Sequence, residues 1–84
     1  MKKILMYTSS YCPYCLNAER LLSEKGINSI EKIHVDQDLK ELEKMIKKTG
    51  KRTVPQIFIG ELHIGGFDEL RASDLSGELD KILG

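Results

Sequence analysis

Tyr11-Cys12-Pro13-Tyr14-Cys15 decides how the chain is read. The stretch lies where the short apolar run Ile4-Leu5-Met6-Tyr7 gives way, through Thr8-Ser9-Ser10, to apolar residues at helical spacing. Two thiols separated by two residues at a helix start fall on one turn, and the first lies where unpaired backbone N–H groups point. Those groups and the helix dipole favour negative charge, so Cys12 is expected to be stabilised as the thiolate and to act as the nucleophile. Pro13 suits the first helical position, where a missing N–H loses no partner. Cys15, one turn further in, is expected to be less exposed and less acidic.

Working outward, Cys15, Ala18, Leu21 and Leu22 keep helical spacing to about Lys25, opposite Asn17, Glu19, Arg20 and Glu24, and Gly26 supplies a stop. Lys3 to Tyr7 reads as a strand buried on both faces and Ile30 to Val35 as a second strand. Asp38 with Glu41 has the spacing of a capping box with an acidic cap, opening a helix whose apolar face is Leu39, Leu42, Met45 and Ile46 and which Gly50 ends. Gln56-Ile57-Phe58-Ile59 and Leu62-His63-Ile64 flank Gly60-Glu61 as a hairpin. Asp68 to Leu75 and Glu78 to Leu83 form a last helix interrupted near Ser76-Gly77, with Leu70, Leu75, Leu79 and Ile82 toward the core. The order β-α-β-α-β-β-α implies a right-handed crossover between two parallel strands, with the hairpin added antiparallel to the first. The expected class is α/β: one four-stranded mixed sheet flanked by three helices, with the Cys12 loop at a strand's carboxyl end.

Length and composition narrow the functions. An 84-residue chain with 40% hydrophobic and 31% charged residues is read as one domain, residues 1–84. Thirteen basic and thirteen acidic side chains cancel, which gives no general electrostatic reason to bind nucleic acid or an anionic membrane. Met1-Lys2-Lys3 precedes an apolar run too short for a signal peptide, and no stretch approaches the roughly 20 apolar residues of a membrane span. Two cysteines without an export signal point to a reducing, cytoplasmic setting and a catalytic or metal-binding pair. The chain is read as a monomer.

A zinc site needs four ligands, and the other candidates, His34 and His63, lie on separate strands without ligand spacing. A structural disulfide would close too small a loop to restrain the unfolded chain. Thiol–disulfide exchange is the chemistry that needs a nucleophile and a resolving thiol at this spacing and this helix end. Pro55 in Thr53-Val54-Pro55 is either a trans edge residue or a cis turn that frees the Val54 backbone to pair with a peptide. Gly65-Gly66-Phe67-Asp68 is either a plain turn or a helix N-terminus suited to a carboxylate, with Asp68 able to meet an ammonium. Tyr7 and Phe58 are read as core aromatics and His34 and His63 as surface strand residues. Lys44, Lys47, Lys48, Lys51 and Arg52 are read as a solvated helix end that could also steer an anion.

Cys12-Pro13-Tyr14-Cys15, Thr53-Val54-Pro55 and Gly65-Gly66-Phe67-Asp68, in this order and with Gln56-Ile57-Phe58-Ile59 continuing the second, resemble the small bacterial dithiol glutaredoxins over essentially the whole chain. The resemblance implies the thioredoxin fold and glutathione-dependent reduction of protein disulfides and protein–glutathione mixed disulfides, without a metal. By position, it implies Cys12 as nucleophile and Cys15 as resolving thiol. Tyr14 would line the glutathione groove, and Val54, beside Thr53, would pair with the tripeptide's cysteine backbone, with Pro55 cis. Gly66, Phe67 and Asp68 would hold its γ-glutamyl end. Ser9 stands where the family commonly has a lysine, so Lys40, Lys44 or Arg52 would have to meet the glycine carboxylate. Two rivals are a thioredoxin-like protein fed by a flavoprotein reductase, disfavoured by the absence of tryptophan, and a dimer holding a [2Fe–2S] cluster, disfavoured by Pro13.

Overall fold

The computed structural model describes residues 2–84. Its elements are β1 (Ile4–Thr8), α1 (Pro13–Glu24), β2 (Glu31–His34), α2 (Leu39–Thr49), β3 (Gln56–Ile59), β4 (Leu62–Gly65), α3 (Phe67–Leu75) and α4 (Glu78–Leu83). The sheet order is β2-β1-β3-β4, with β1 parallel to β2 and β3 antiparallel to both β1 and β4. This is the expected mixed sheet. Among the described residues no helix is long and apolar enough to cross a membrane.

Strand alternation sorts the core into two layers. Ile4 and Met6 of β1 and Ile57 and Ile59 of β3 face one way and pack with Ala18 and Leu22 of α1, Leu70 of α3 and Leu79 of α4. Leu5, Tyr7 and Phe58 face the other way and meet Leu42 and Met45 of α2. The first face therefore has three helices over it and the second only one. Tyr7 and Phe58 meet edge to face, ring centroids 6.1 Å apart, as expected of core aromatics.

Several local expectations need correcting. The last helix is two separate helices, because Ser76 ends α3 and Gly77, at φ 85°, turns the chain before α4. Leu75 and Leu79 would share a face only on one continuous helix; across that turn the phase is lost, and Leu75 is 76% exposed while Leu79 is buried. Leu39 is also exposed, since it opens α2 one turn before Leu42, the first residue of that helix to reach the sheet. Asp38 caps α2 by accepting from the Lys40 N–H at 3.0 Å, but Glu41 turns to Lys44 at 3.3 Å and the reciprocal half of the capping box does not form. β2 is one residue shorter at each end than expected.

Ion pairs brace the periphery. Beyond the end of α1, Lys25 Nζ lies 2.6 Å from Asp74 Oδ1 and 3.1 Å from Asp80 Oδ1, spanning the break between α3 and α4. Hydrogen bonds to Asp74 and then Asp80 raise the Lys25 ammonium above its ordinary value. Along the β2 edge, Lys3 pairs with Glu31 at 2.8 Å and Lys32 with Glu19 at 3.0 Å.

This packing predicts unequal costs for two leucines in adjacent turns. Leu70→Ala, which empties a fully buried site, should lower unfolding free energy by about 2–5 kcal/mol in urea melts, whereas Leu75→Ala should change it by no more than about 0.5 kcal/mol.

Candidate functional site

The site begins at the carboxyl end of β1, whose last residues are buried and whose direction delivers the Thr8–Tyr11 loop to the start of α1. That loop is fixed from the side by the turn after β2. The Ser10 amide donates to Asp36 Oδ2 at 3.2 Å, and Gln37 Nε2 donates to the Ser10 hydroxyl at 3.2 Å. Desolvation alone would raise the Asp36 carboxyl, but hydrogen bonds from the Ser10 hydroxyl and amide and from its own amide outweigh it and hold the group below the usual carboxylate range.

Cys12 is the N-cap residue of α1, with extended backbone (φ −130°, ψ 102°) and Pro13 at the first helical position. Its Sγ accepts a hydrogen bond from the Cys15 N–H at 3.1 Å, taking the place a Ser, Thr or Asp oxygen usually holds at a helix start. The sulfur is half-buried and also lies 3.8 Å from the Val54 carbonyl oxygen. Cys15 is buried at 2% exposure, and both cysteines are free thiols. Burial first, and then the side-chain hydrogen bond with Cys12, pushes the Cys15 thiol up from 9.0 to about 11. The two sulfurs therefore occupy unlike environments, as their sequence positions imply.

Beside Cys12 runs a groove of about 340 Å³. One wall is Thr53, Val54 and Pro55, and the Val54–Pro55 peptide bond is cis. The opposite wall is Gly66, Phe67 and Asp68 at the start of α3, and Tyr14, 60% exposed, closes one side with its ring centroid 6.5 Å from that of Phe67. All seven groove residues named from sequence thus come together, although they arise from three separate segments. Gly65 makes the second wall possible. Its φ of 116° is a conformation that side chains rarely adopt, and a Cβ there would lie 2.7 Å from Glu69 Oε1. Glu69 in turn accepts from the Gly66 N–H at 2.7 Å, which orders the end of β4 against the first turn of α3.

Two further lining residues, Gln56 and Glu69, are not among the site residues expected from sequence, and a third, Lys51, comes from the basic cluster expected to be able to steer an anion. Lys51 was grouped with a solvated helix end, and of the chain's cations it is Lys51, not Lys40, Lys44 or Arg52, that lines the groove. Lys48 also departs from that reading, standing 5.8 Å from the ring centroids of both Tyr7 and Phe58. Glu69 follows Gly66 at capping-box spacing, which is the signal that could have found it. His63, expected at the surface, is half-buried: its Nε2 is 2.8 Å from Gln56 Oε1 and its ring stacks on Phe58 at 4.8 Å. His34 lines a small cleft on the far side of the cysteine pair. Among the described residues, no group of three or more His, Cys, Asp or Glu side chains is arranged to hold a metal ion.

The sequence model of the glutaredoxin family matches residues 4–64. The chain belongs to the glutaredoxin family. It is 47% identical over 83 residues to glutaredoxin 3 of Escherichia coli strain K12, covering 99% of each chain. It is 45% identical over 83 residues to a glutaredoxin of Neisseria meningitidis (strain Z2491), covering 99% of this chain and 98% of that one. The crystal structure of a buckwheat glutaredoxin–glutathione complex matches with a TM-score of 0.88 at 30% identity, over 98% of this chain and 76% of that one. The solution structure of glutaredoxin from Brucella melitensis matches with a TM-score of 0.85 at 38% identity, over 99% and 89% of the two chains. The architecture is the thioredoxin fold that these glutaredoxins share, and the family's chemistry makes the chain a thiol–disulfide oxidoreductase.

The burial of Cys15 has a consequence in alkali. Its folded-state value lies above its unfolded one, so the folded form binds the proton more tightly; stability is intact below pH 9.0 and declines as pH rises toward about 11. Urea melts of the reduced protein across that window should show the decline, and Cys15→Ala should flatten it.

Proposed function

We propose that the chain is a glutathione–disulfide oxidoreductase that reduces protein disulfides and protein–glutathione mixed disulfides through Cys12 and Cys15. The observation that carries this reading is the position of Cys12 Sγ: it accepts from the Cys15 N–H at 3.1 Å and lies 3.8 Å from the Val54 carbonyl, beside a groove lined by side chains of both charges. Its lining includes the cation Lys51 and the carboxylate Asp68 at the start of α3. Among the described residues neither side chain is held by an ion pair. That pairing of charges suits a tripeptide with a glycine carboxylate at one terminus and an ammonium and carboxylate on the γ-glutamyl residue at the other. The carboxylate of Asp68 meets the ammonium, and the open N–H groups of α3 at Phe67 and Asp68 meet the γ-glutamyl carboxylate. Gly66 brings the chain close, while Tyr14, Thr53, Val54 and cis Pro55 shape the middle.

The steps balance as follows. Cys12 thiolate attacks the glutathione sulfur of a mixed disulfide, forming Cys12–S–S–glutathione and releasing the target's thiolate, which takes up a proton. A second glutathione thiolate then attacks the bound glutathione sulfur, releasing glutathione disulfide and Cys12 thiolate. With a protein disulfide, Cys12 thiolate attacks one of its sulfurs, forming a mixed disulfide with the target and releasing the target's other sulfur as a thiolate that takes up a proton. Cys15 loses its proton and attacks the Cys12 sulfur, releasing the target's second thiolate, which is protonated in turn, and leaving a Cys12–Cys15 disulfide that two glutathiones reduce to the dithiol with formation of one glutathione disulfide. Attack requires a thiolate, and a thiol pushed up to about 11 is seldom one at neutral pH.

Two sets of variants test this reading in a glutathione reductase-coupled assay. Cys12→Ser should abolish reduction of a glutathione mixed disulfide, while Cys15→Ser should keep that activity and lose most protein-disulfide reduction; an active Cys12→Ser protein would sink the assignment. Lys51→Ala should raise KM for glutathione about threefold or more, the effect expected for losing a charge-assisted contact worth ~1 kcal/mol, with the rise shrinking at high salt.

A further inference from the structure

His63 is not claimed by the chemistry above, yet it is tied to the groove through a buried amide. Gln56 is 3% exposed. Its Nε2 donates to the Thr53 carbonyl oxygen at 3.0 Å and to the Thr53 hydroxyl at 3.3 Å, and its Oε1 is 2.8 Å from His63 Nε2. These contacts admit one arrangement of protons. A carbonyl oxygen only accepts, so Gln56 must present its NH2 group to Thr53 and hence its carbonyl to His63. His63 is therefore the donor, through Nε2–H, and that proton is present both in this tautomer of the neutral ring and in the cation. Stacking on Phe58 at 4.8 Å keeps the imidazole in the plane the contact needs.

We propose that His63 is a positioning residue that aims the Val54 N–H into the groove by fixing the Gln56 amide. This rests on the glutathione reading above. The link is the planarity of the Thr53–Val54 peptide, which is trans, the cis bond being the next one. In a trans peptide the C=O and N–H point in opposite directions. Gln56 holds the Thr53 C=O, so the Val54 N–H points away from the Gln56 amide, and among the described residues it finds no acceptor within the chain. An N–H held open beside Cys12 is a donor waiting for the backbone carbonyl of an extended ligand. Without the His63 donor the Gln56 amide is held from one side only, by Thr53, and the plane of the Thr53–Val54 peptide is less firmly fixed.

Two substitutions separate aiming from mere packing. His63→Phe keeps a ring for Phe58 and removes the donor; His63→Gln places an amide N–H near the position of Nε2. KM for glutathione should rise about three- to tenfold in His63→Phe, the loss expected for one hydrogen bond, while the rate at saturating glutathione stays within about twofold of the parent. His63→Gln should bring KM back to within about twofold. In 15N–1H spectra of the reduced, ligand-free proteins, the Val54 amide resonance should move in His63→Phe and return in His63→Gln. The proposal is overturned by an unchanged KM in His63→Phe, by a Val54 amide that does not move, by His63→Gln failing to restore either, or by a lowered melting temperature as the sole effect. If the parent protein shows no glutathione-dependent activity, the proposed function falls, and the Val54 amide then decides the tether by itself.

Discussion

One hydrogen bond organises the molecule: the Cys15 N–H to Cys12 Sγ, 3.1 Å long, at the first turn of α1. A helix start leaves N–H groups without partners, and most helices satisfy one with a hydroxyl or carboxylate oxygen. Here a sulfur does it. The atom that finishes the helix is thus one thiol of the pair, and the backbone that holds it belongs to the residue whose side chain is the other. Everything upstream serves to deliver that sulfur: the buried β1, the loop tied to Asp36 and Gln37, and Pro13, which gives up no needed N–H. Everything downstream gives it a neighbour, since Val54 reaches within 3.8 Å from a loop 42 residues away.

Burial then separates two chemically identical side chains. Cys12 has an N–H donor and access to solvent, whereas Cys15 sits under α1 against the sheet with its thiol pushed up to about 11. Position on one helical turn is enough to leave one sulfur partly open and the other enclosed. The groove applies the same economy to charge. A chain with no net charge lines a 340 Å³ groove with a cation, Lys51, and two carboxylates, Asp68 and Glu69, so charges of both signs meet there.

Much of this was legible in the residues because the deciding signals are local. The Cys-Pro-x-Cys turn, the glycines at 26 and 50 and the two-residue hairpin loop each set backbone conformation within a few positions, and the parallel and antiparallel pairings follow from connection length. Leu75 was misread because helical periodicity carries no information past a break, and the direction of α4 is set by Gly77 and by the Lys25 clamp on Asp74 and Asp80. His63 departs from its surface reading for a different reason: its partners Gln56 and Phe58 are non-local. Nothing in the alternation of β4 says that its second residue will meet Gln56 across the hairpin, and only one helix covers that face of the sheet, which leaves room for an imidazole to tuck in.

The strand order leaves β2 and β4 without outer neighbours, and both are four residues long. With thirteen charges of each sign, mutual repulsion between copies is not available to keep these open edges apart. The protection is built into the edges. On β2 the outward Glu31 and Lys32 hold counter-charges from Lys3 and Glu19, so an approaching strand would have to displace two ion pairs to reach the backbone. β4 is interrupted by a register irregularity opposite Ile57/Phe58 and ends at Gly65, which denies a flat template. In a chain without net charge the guarding of open strand edges thus falls to a few residues far from the cysteine pair, and stripping Glu31 and Lys32 of charge would turn a sound fold toward sheet-to-sheet aggregation.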